Sequence, residues 1–125
     1  MIERHFFDIE LALADQVGSS HGDTKHAYHL HLPLSAEGHV DASAFLHHAD
    51  AFRVVRRRRG ETDQHGKITR GERGSWNFHY DGVDHYADDT SFRLSEIHLA
   101  PGRYLSITED DGVTRAFKIM SVEPE

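Results

Sequence analysis

Histidines on a predicted strand are the residues in this sequence with the clearest capacity for chemistry. The chain has 12 histidines among its 125 residues, and His29 and His31 stand two positions apart in an alternating apolar segment. Side chains at positions i and i+2 of a strand point to the same face. Neutral imidazole is a common protein ligand of zinc, copper, iron and nickel. The two histidines are therefore placed to bind one divalent metal ion.

A glutamate follows this pair. The His-x-His…Glu arrangement of His29, His31 and Glu37 resembles the metal-binding signature of the cupins, which are β-barrel proteins. The resemblance implies a metal-binding protein or metal-dependent enzyme. In such a protein, His79 or His98 could complete the ligand set. The spacing departs from the cupin pattern, because five residues separate His31 from Glu37 and no histidine follows His98. The alternative is that both histidines lie on a solvated face opposite the leucines.

The segment 75–81 has the clearest strand alternation. Trp76, Phe78 and Tyr80 share one face, and Asn77, His79 and Asp81 share the other. The aromatic rings could form a platform for a ligand ring, although alternating aromatics more often pack in a core. His79 and Asp81 could act as an acid–base or ligand pair if their face lines a barrel lumen. The alternative is an outer face that meets water. The candidate ligand-binding residues are therefore Trp76, His79, Tyr80 and Asp81.

The only basic cluster is Arg56-Arg57-Arg58-Arg59. On a strand, alternate arginines face opposite sides, so the run cannot present one surface of four guanidinium groups. Such a run could bind RNA or phosphate. It could instead pair with acidic residues elsewhere or protect an edge strand from association. The net charge of −7, from 14 basic and 21 acidic residues, argues against general nucleic-acid binding.

Two acidic segments invite other interpretations. The segment 81–89 lacks the alternating ligand positions of an EF-hand, so we interpret it as a solvated loop rather than a calcium site. Glu109-Asp110-Asp111-Gly112 is explained as a hairpin turn, with glycine where a positive φ is needed. Neither segment has the pattern of a functional site.

The composition restricts the class of protein. A length of 125 residues is typical of one domain, here 1–125. The absence of cysteine excludes disulfides, thiolate nucleophiles and cysteine-ligated metals, and it favours a reducing compartment. The sequence has no apolar run of about 20 residues and no recognisable signal peptide, so we expect a cytoplasmic protein that does not enter a membrane.

Alternation and turn residues predict a mainly β chain. Strands are predicted at 3–13, 26–34, 52–59, 66–71, 75–81, 91–99, 103–109 and 113–122, with one short helix near 42–50. Ala100-Pro101-Gly102-Arg103 has the residues of a type II turn. Parallel strands would need more helical crossovers, so the sheet is predicted to be antiparallel. The expected fold is all-β, a small antiparallel barrel of about eight strands, calycin-like or cupin-like, whose interior is filled or holds one small ligand.

Three functional hypotheses follow from these features. The leading hypothesis is a non-enzymatic module that binds a small molecule or a protein partner, because no catalytic constellation or phosphate-binding loop is recognisable. The second is a metal-binding, cupin-like enzyme that uses His29 and His31. The third is an RNA or phosphate binder that uses the arginine run. No organic cofactor is expected, and a divalent metal is the one cofactor that the histidines suggest. Ligand identity and oligomeric state are left open.

Overall fold

Each strand of the sheet pairs antiparallel with its neighbour in the sequence. A computed structural model describes residues 6–14, 22–82 and 88–125, and its eight strands form a closed barrel in which β8 pairs with β1. The strands are β1 (Phe6–Ala14), β2 (Gly22–Pro33), β3 (Arg53–Arg57), β4 (Gln64–Arg70), β5 (Trp76–Tyr80), β6 (Asp89–Ser91), β7 (Tyr104–Thr108) and β8 (Thr114–Pro124). The predicted all-β antiparallel barrel is confirmed.

One predicted strand is much shorter than expected. The segment 91–99 contributes only Ser91 to β6, and a 3₁₀ turn follows at Leu94–Glu96. Leu94 is buried inside the barrel whereas Phe92 is 63% exposed, so this segment does not sustain one buried face. The predicted strand at 3–13 begins outside the described residues, and its remainder is β1.

The single predicted helix is present and short. Helix α1 (Phe45–His48) is flanked by 3₁₀ turns at Ala42–Ala44 and Ala49–Ala51. Phe45 packs edge-on against both Phe52 and Trp76, with ring centroids 5.2 and 5.6 Å away, and so covers one end of the barrel. No helix in the described ranges has the length and apolar character needed to span a bilayer.

Inward-facing side chains fill the barrel. The largest fully buried ones are Trp76, Tyr28, Phe52, Phe78, Phe117, Ile9, Leu11, Leu30, Leu32, Ile68, Leu94 and Leu105. The rings of Phe52 and Trp76 stack with an interplanar angle of 4°, and Tyr28 meets Phe117 edge-on with centroids 5.0 Å apart. Of the two predicted interiors, the structure has the filled one, because aromatic and branched side chains occupy the space where a lumen would lie.

The two ends of the barrel differ in chemistry. The end closed by α1 is lined by the aromatic rings of Phe45, Phe52 and Trp76, and we call it the plugged end. The opposite end contains the buried polar residues Arg56, Asp89 and Glu109. We call it the charged end.

Two glycines have a specific structural role. Gly102 has φ of 91°, and the backbone N–H of Arg103 donates to the carbonyl of Ala100 at 3.1 Å, as the predicted type II turn requires. Gly66 lies where β4 passes very close to β5. A Cβ atom there would overlap the backbone carbonyl of His79, so only glycine permits this approach.

Trp76→Ala should strongly destabilise the barrel. Trp76 is fully buried, and its indole N–H donates to the Ser95 hydroxyl at 2.6 Å. Removing the ring leaves a cavity, which typically costs about 3–5 kcal/mol of unfolding free energy. Urea denaturation followed by circular dichroism measures this change. Phe92→Ala is the matched control and should change stability by about 0.5 kcal/mol or less, because Phe92 is exposed. Equal effects of the two changes would contradict the packed interior.

Candidate functional site: a histidine-lined groove in the barrel wall

Two rows of outward-facing side chains cross the first strands of the barrel. The register of the strands aligns Glu10, His29, Val55 and His65 in the first row. It aligns Asp8, His31, Arg53, Lys67 and His79 in the second. Because side chains alternate along each strand, both rows lie on the outer face, opposite the residues that fill the barrel.

A groove of about 320 Å³ lies across these rows. Its polar side chains are Asp8, His29, His31, Arg53, His65 and Asp81. We call it the histidine groove. Val54 and Gly66 also line it, at the place where β3 and β4 are adjacent. Its volume is at the lower limit for small-molecule sites in proteins, and concave sites with convergent polar groups are where ligands usually bind.

His29 is held between two carboxylates of β1. Its Nδ1 lies 2.5 Å from Glu10 Oε1, and its Nε2 lies 2.9 Å from Asp8 Oδ1. Partial burial disfavours the charged ring, but the hydrogen bonds to Glu10 and Asp8 outweigh this effect and raise the pKa of His29. Carboxylates only accept hydrogen bonds, so both contacts favour the protonated form of the ring.

His31 is fixed by a different set of contacts. Its Nδ1 lies 2.7 Å from the Ala51 carbonyl oxygen, and its Nε2 lies 3.0 Å from Glu125 Oε1. Its ring also stacks on Phe6 with centroids 5.3 Å apart. Both nitrogens are engaged, so His31 forms a fixed wall of the groove.

Three other polar side chains of the groove are available to a ligand. Arg53, His65 and Asp81 are exposed, and within the part of the chain that the structure describes their side chains have no hydrogen bond or ion pair. They provide a guanidinium, an imidazole and a carboxylate beside histidines whose positions are fixed. The groove therefore offers both positive and negative partners to a bound molecule.

The structure does not assemble the predicted metal ligands. His29 and His31 share the groove, but Glu37 lies in an exposed turn after β2, and His79 lies on β5 with its Nδ1 2.8 Å from Asp88 Oδ1. Across 6–14, 22–82 and 88–125, no group of three His, Cys, Asp or Glu residues is arranged to hold a metal ion. The nitrogens of His29 and His31 would also have to leave their present partners before they could bind one.

The candidate ligand-binding residues of β5 are divided between the two faces of the wall. Trp76 is buried in the core, and Tyr80 directs its hydroxyl to Asp89 at 2.6 Å inside the barrel. His79 and Asp81 lie on the outer face rather than in a lumen. Of the four candidates, only Asp81 lines the histidine groove.

The charged end contains a buried network that the sequence interpretation missed. The sequence predicts a solvated loop at 81–89, but Asp89 is fully buried. Its carboxylate lies 3.0 Å from the Tyr28 hydroxyl and accepts from the Tyr80 hydroxyl at 2.6 Å, Arg56 Nη1 at 3.0 Å and the Asp110 backbone N–H at 2.9 Å. Burial raises the pKa of both tyrosines, and the nearby carboxylates raise it further, so both hydroxyls remain protonated.

Glu109 is the second acid of this network. It accepts from the Tyr28 hydroxyl at 2.5 Å, from Arg115 Nη1 at 2.8 Å and from Arg58 Nη2 at 3.3 Å, and its Oε2 lies 2.9 Å from His26 Nε2. Burial alone would raise its pKa, but the hydrogen bonds from Tyr28 and His26 and the charge of Arg58 lower it overall. Glu109 is therefore an ionised carboxylate inside the barrel.

The arginine run is divided in the way that strand alternation requires. Arg56 points inward with its side chain only 2% exposed, and it donates to Asp89 and to the Gln64 side-chain carbonyl. Arg58 contacts Glu109 and Asp110. The interpretation that the run pairs with acids is thus confirmed, and the edge-protection alternative is wrong because a closed barrel has no edge there. Arg56 lies on the same face of β3 as the apolar residue Val54. This position is the sequence signal for a buried acidic partner.

The groups of this network satisfy one another almost completely. Within the described residues, Arg56 Nε is the only buried side-chain nitrogen or oxygen atom without a hydrogen-bond partner. A network of this kind holds the barrel together and leaves few donors or acceptors for a ligand. The histidine groove, with its unpaired groups, is the better candidate site.

Comparison with known proteins identifies no relative. No protein-family model matches the chain, and neither a curated protein nor a solved structure matches it at a significant level. The chemistry of the histidine groove is therefore the basis for assigning a function.

Asp89→Asn should cost about 3–5 kcal/mol of stability, because the change removes the carboxylate 3.0 Å from the buried Arg56 guanidinium and leaves Asp110, at 3.7 Å, as its remaining counter-ion among the described residues. Equilibrium denaturation in urea measures this effect. Asp63→Asn is the matched control, since Asp63 forms only a surface pair with Arg57 at 3.6 Å. It should cost about 1 kcal/mol or less. A small effect of Asp89→Asn would show that the buried pair does not support the fold.

Acid should destabilise the barrel partly through Glu109. Its pKa is lower in the folded protein than the ordinary value of 4.5. Its contribution to stability is therefore complete above that value and declines as the pH falls through the folded-state pKa. Urea denaturation between pH 7 and about pH 3 measures this. Glu109→Gln should be less stable at neutral pH and should lose less stability on acidification. An unchanged acid dependence in this variant would exclude Glu109 as a source.

Proposed function

We propose that this protein is a binding module that holds a small polar molecule in the histidine groove. The observation that carries the proposal is the convergence of Arg53, His65 and Asp81, all without side-chain partners in the described residues, on a concavity of about 320 Å³. Exposed charges are usual on protein surfaces, but their convergence on a concave site is typical of ligand-binding sites.

The fixed walls of the groove support this proposal. His29 is held by Asp8 and Glu10, and His31 is held by Ala51 and Glu125. A site whose walls are already ordered loses little conformational entropy when a ligand binds. A small molecule therefore needs few contacts to bind measurably.

The wall is a better location for a ligand than the interior. Aromatic side chains such as Trp76 and Phe78 occupy the barrel, and the acids of the charged end are saturated with donors. The proposal includes no catalytic step, because His29 and His31 would have to break existing hydrogen bonds before exchanging a proton with a ligand.

The arginine run provides little support for RNA binding. Arg56 is buried in its ion pair with Asp89, and Arg57 lies near Asp63. The other arginines of the run belong to a chain whose net charge is −7. Nucleic-acid binding generally needs a net basic surface, so the small-molecule proposal is preferred.

Chemical-shift mapping tests the proposed function. A panel of small carboxylates, amines, amino acids and sugar phosphates is titrated at millimolar concentration into ¹⁵N-labelled protein. We expect the shifts to concentrate at Val55, His65, Gly66 and Asp81. His65→Ala should weaken binding by about 2- to 10-fold, the usual effect of losing one hydrogen bond.

The control is His79→Ala, which removes an exposed histidine of the same wall that lies outside the groove lining. It should leave the affinities unchanged. Shifts that concentrate away from the groove, or a panel that produces none, would refute the proposed function.

A further inference from the structure

We infer that the ligand of the histidine groove is a small zwitterion, with a carboxylate and a protonated amine joined by a short apolar linker. This inference rests on the proposed function and specifies its ligand class. The carboxylate would bind Arg53, the ammonium group would bind Asp81, and the linker would lie over Val55.

Arg53 and Asp81 face the same groove without pairing with each other. Arg53 lies on β3, whereas Asp81 follows β5 and donates its backbone N–H to the His65 carbonyl at 2.8 Å. Across the sheet, Asp81 lies two strands from Arg53, and along the strand direction it lies one row of side chains away. Ordinary strand spacings place their Cα atoms roughly 12 Å apart. Such a separation leaves room for a molecule between the guanidinium and the carboxylate.

The other charged group of the groove lining already has a partner. Asp8 lies 2.9 Å from His29 Nε2. Lys67, beside the groove, lies 4.0 Å from Asp50. Arg53 and Asp81 are the opposite charges of the groove that remain without a side-chain partner in the described residues. A ligand with both charges would satisfy both groups, whereas a ligand with one charge would leave the other unpaired.

Arg53 would bind the anionic group of the ligand. A guanidinium group donates two parallel hydrogen bonds to a carboxylate or to a phosphate. The chain has a net charge of −7, and Asp8 and Asp81 line the same groove. This field opposes a doubly charged phosphate more than a singly charged carboxylate. The carboxylate is therefore the favoured group.

An apolar side chain lies between the two charges. Val55 lies directly opposite both His29 on β2 and His65 on β4, and it is half-buried. Its methyl groups provide an apolar surface for methylene groups. His65 is exposed beside it and can form a hydrogen bond with a polar atom of the ligand. The site thus fits an ω-amino acid with a short linker.

Calorimetric and NMR titrations with matched probes test this inference. The probes are 4-aminobutanoate, butanoate and butan-1-amine, with glycine and 6-aminohexanoate as shorter and longer zwitterions. We expect 4-aminobutanoate to bind about 2- to 5-fold more tightly than either singly charged analogue, since each lacks one ion pair with an exposed group. Glycine should bind more weakly, because it cannot reach both charges.

Two variants assign the charges. Arg53→Gln should reduce the affinity for 4-aminobutanoate to that of butan-1-amine, and Asp81→Asn should reduce it to that of butanoate. Both residues are exposed, so neither change should alter stability by more than about 0.5 kcal/mol. Glu37→Gln is the control, because it removes an exposed carboxylate that does not line the groove. It should leave every affinity unchanged.

The outcomes separate this inference from the proposed function. If butanoate, butan-1-amine or a neutral molecule binds the groove as tightly as 4-aminobutanoate, the zwitterion inference is wrong and small-molecule binding stands. If 4-aminobutanoate binds more tightly but both variants retain that preference, the roles assigned to Arg53 and Asp81 are wrong. If neither these probes nor the wider panel shifts the groove amides, both proposals fail.

Discussion

The closed barrel depends most on the buried carboxylate of Asp89. Strand β6 is three residues long, and its pairing with β7 consists of the single register pair Thr90 and Thr108. Asp89 reinforces this weak seam because it accepts the backbone N–H of Asp110, which follows β7. The same carboxylate contacts Tyr28 of β2, Tyr80 of β5 and Arg56 of β3. Burying a charge is costly, but the hydrogen bonds and the Arg56 counter-ion offset that cost.

The histidine groove is a consequence of the same closed geometry. Closure requires the strands to curve and their side chains to alternate strictly between the core and the solvent. On β3 this alternation buries Val54 and Arg56 and leaves Arg53 and Val55 on the outer wall. The core residues thereby fix the position of the groove, and Gly66 permits the close approach of β4 and β5 beside it.

The fold was predictable from the sequence because its signals are local. Alternation with a period of two defines most strands, and the residues of a turn such as Ala100–Arg103 determine its geometry. The length of β6 was not predictable in this way. Leu94 and Leu99 are both buried, but the 3₁₀ turn at Leu94–Glu96 brings them to the core without a continuous strand.

The candidate site and the buried network were predictable only in part because both depend on long-range pairing. Alternation correctly placed His29 and His31 on one face, but their carboxylate partners follow from the register of β1 against β2 and from the position of the C-terminal residues. Asp89 and Tyr28 are 61 positions apart, and Glu109 and Tyr28 are 81 apart. No local pattern connects such residues. Only the inward position of Arg56 indicated that an acid must be buried nearby.

The brevity of β6 also has a consequence for the cooperativity of unfolding. A sheet usually frays first where its backbone pairing is sparsest, and such a seam opens without disturbing the rest of the fold. In this barrel the sparsest seam is bound to three other strands through Asp89. Opening the seam breaks the bond from the Asp110 N–H to Asp89 and so disturbs the network that also holds β2, β3 and β5. The least-paired strand is thus coupled to the others, and local fraying at β6 becomes part of the global transition.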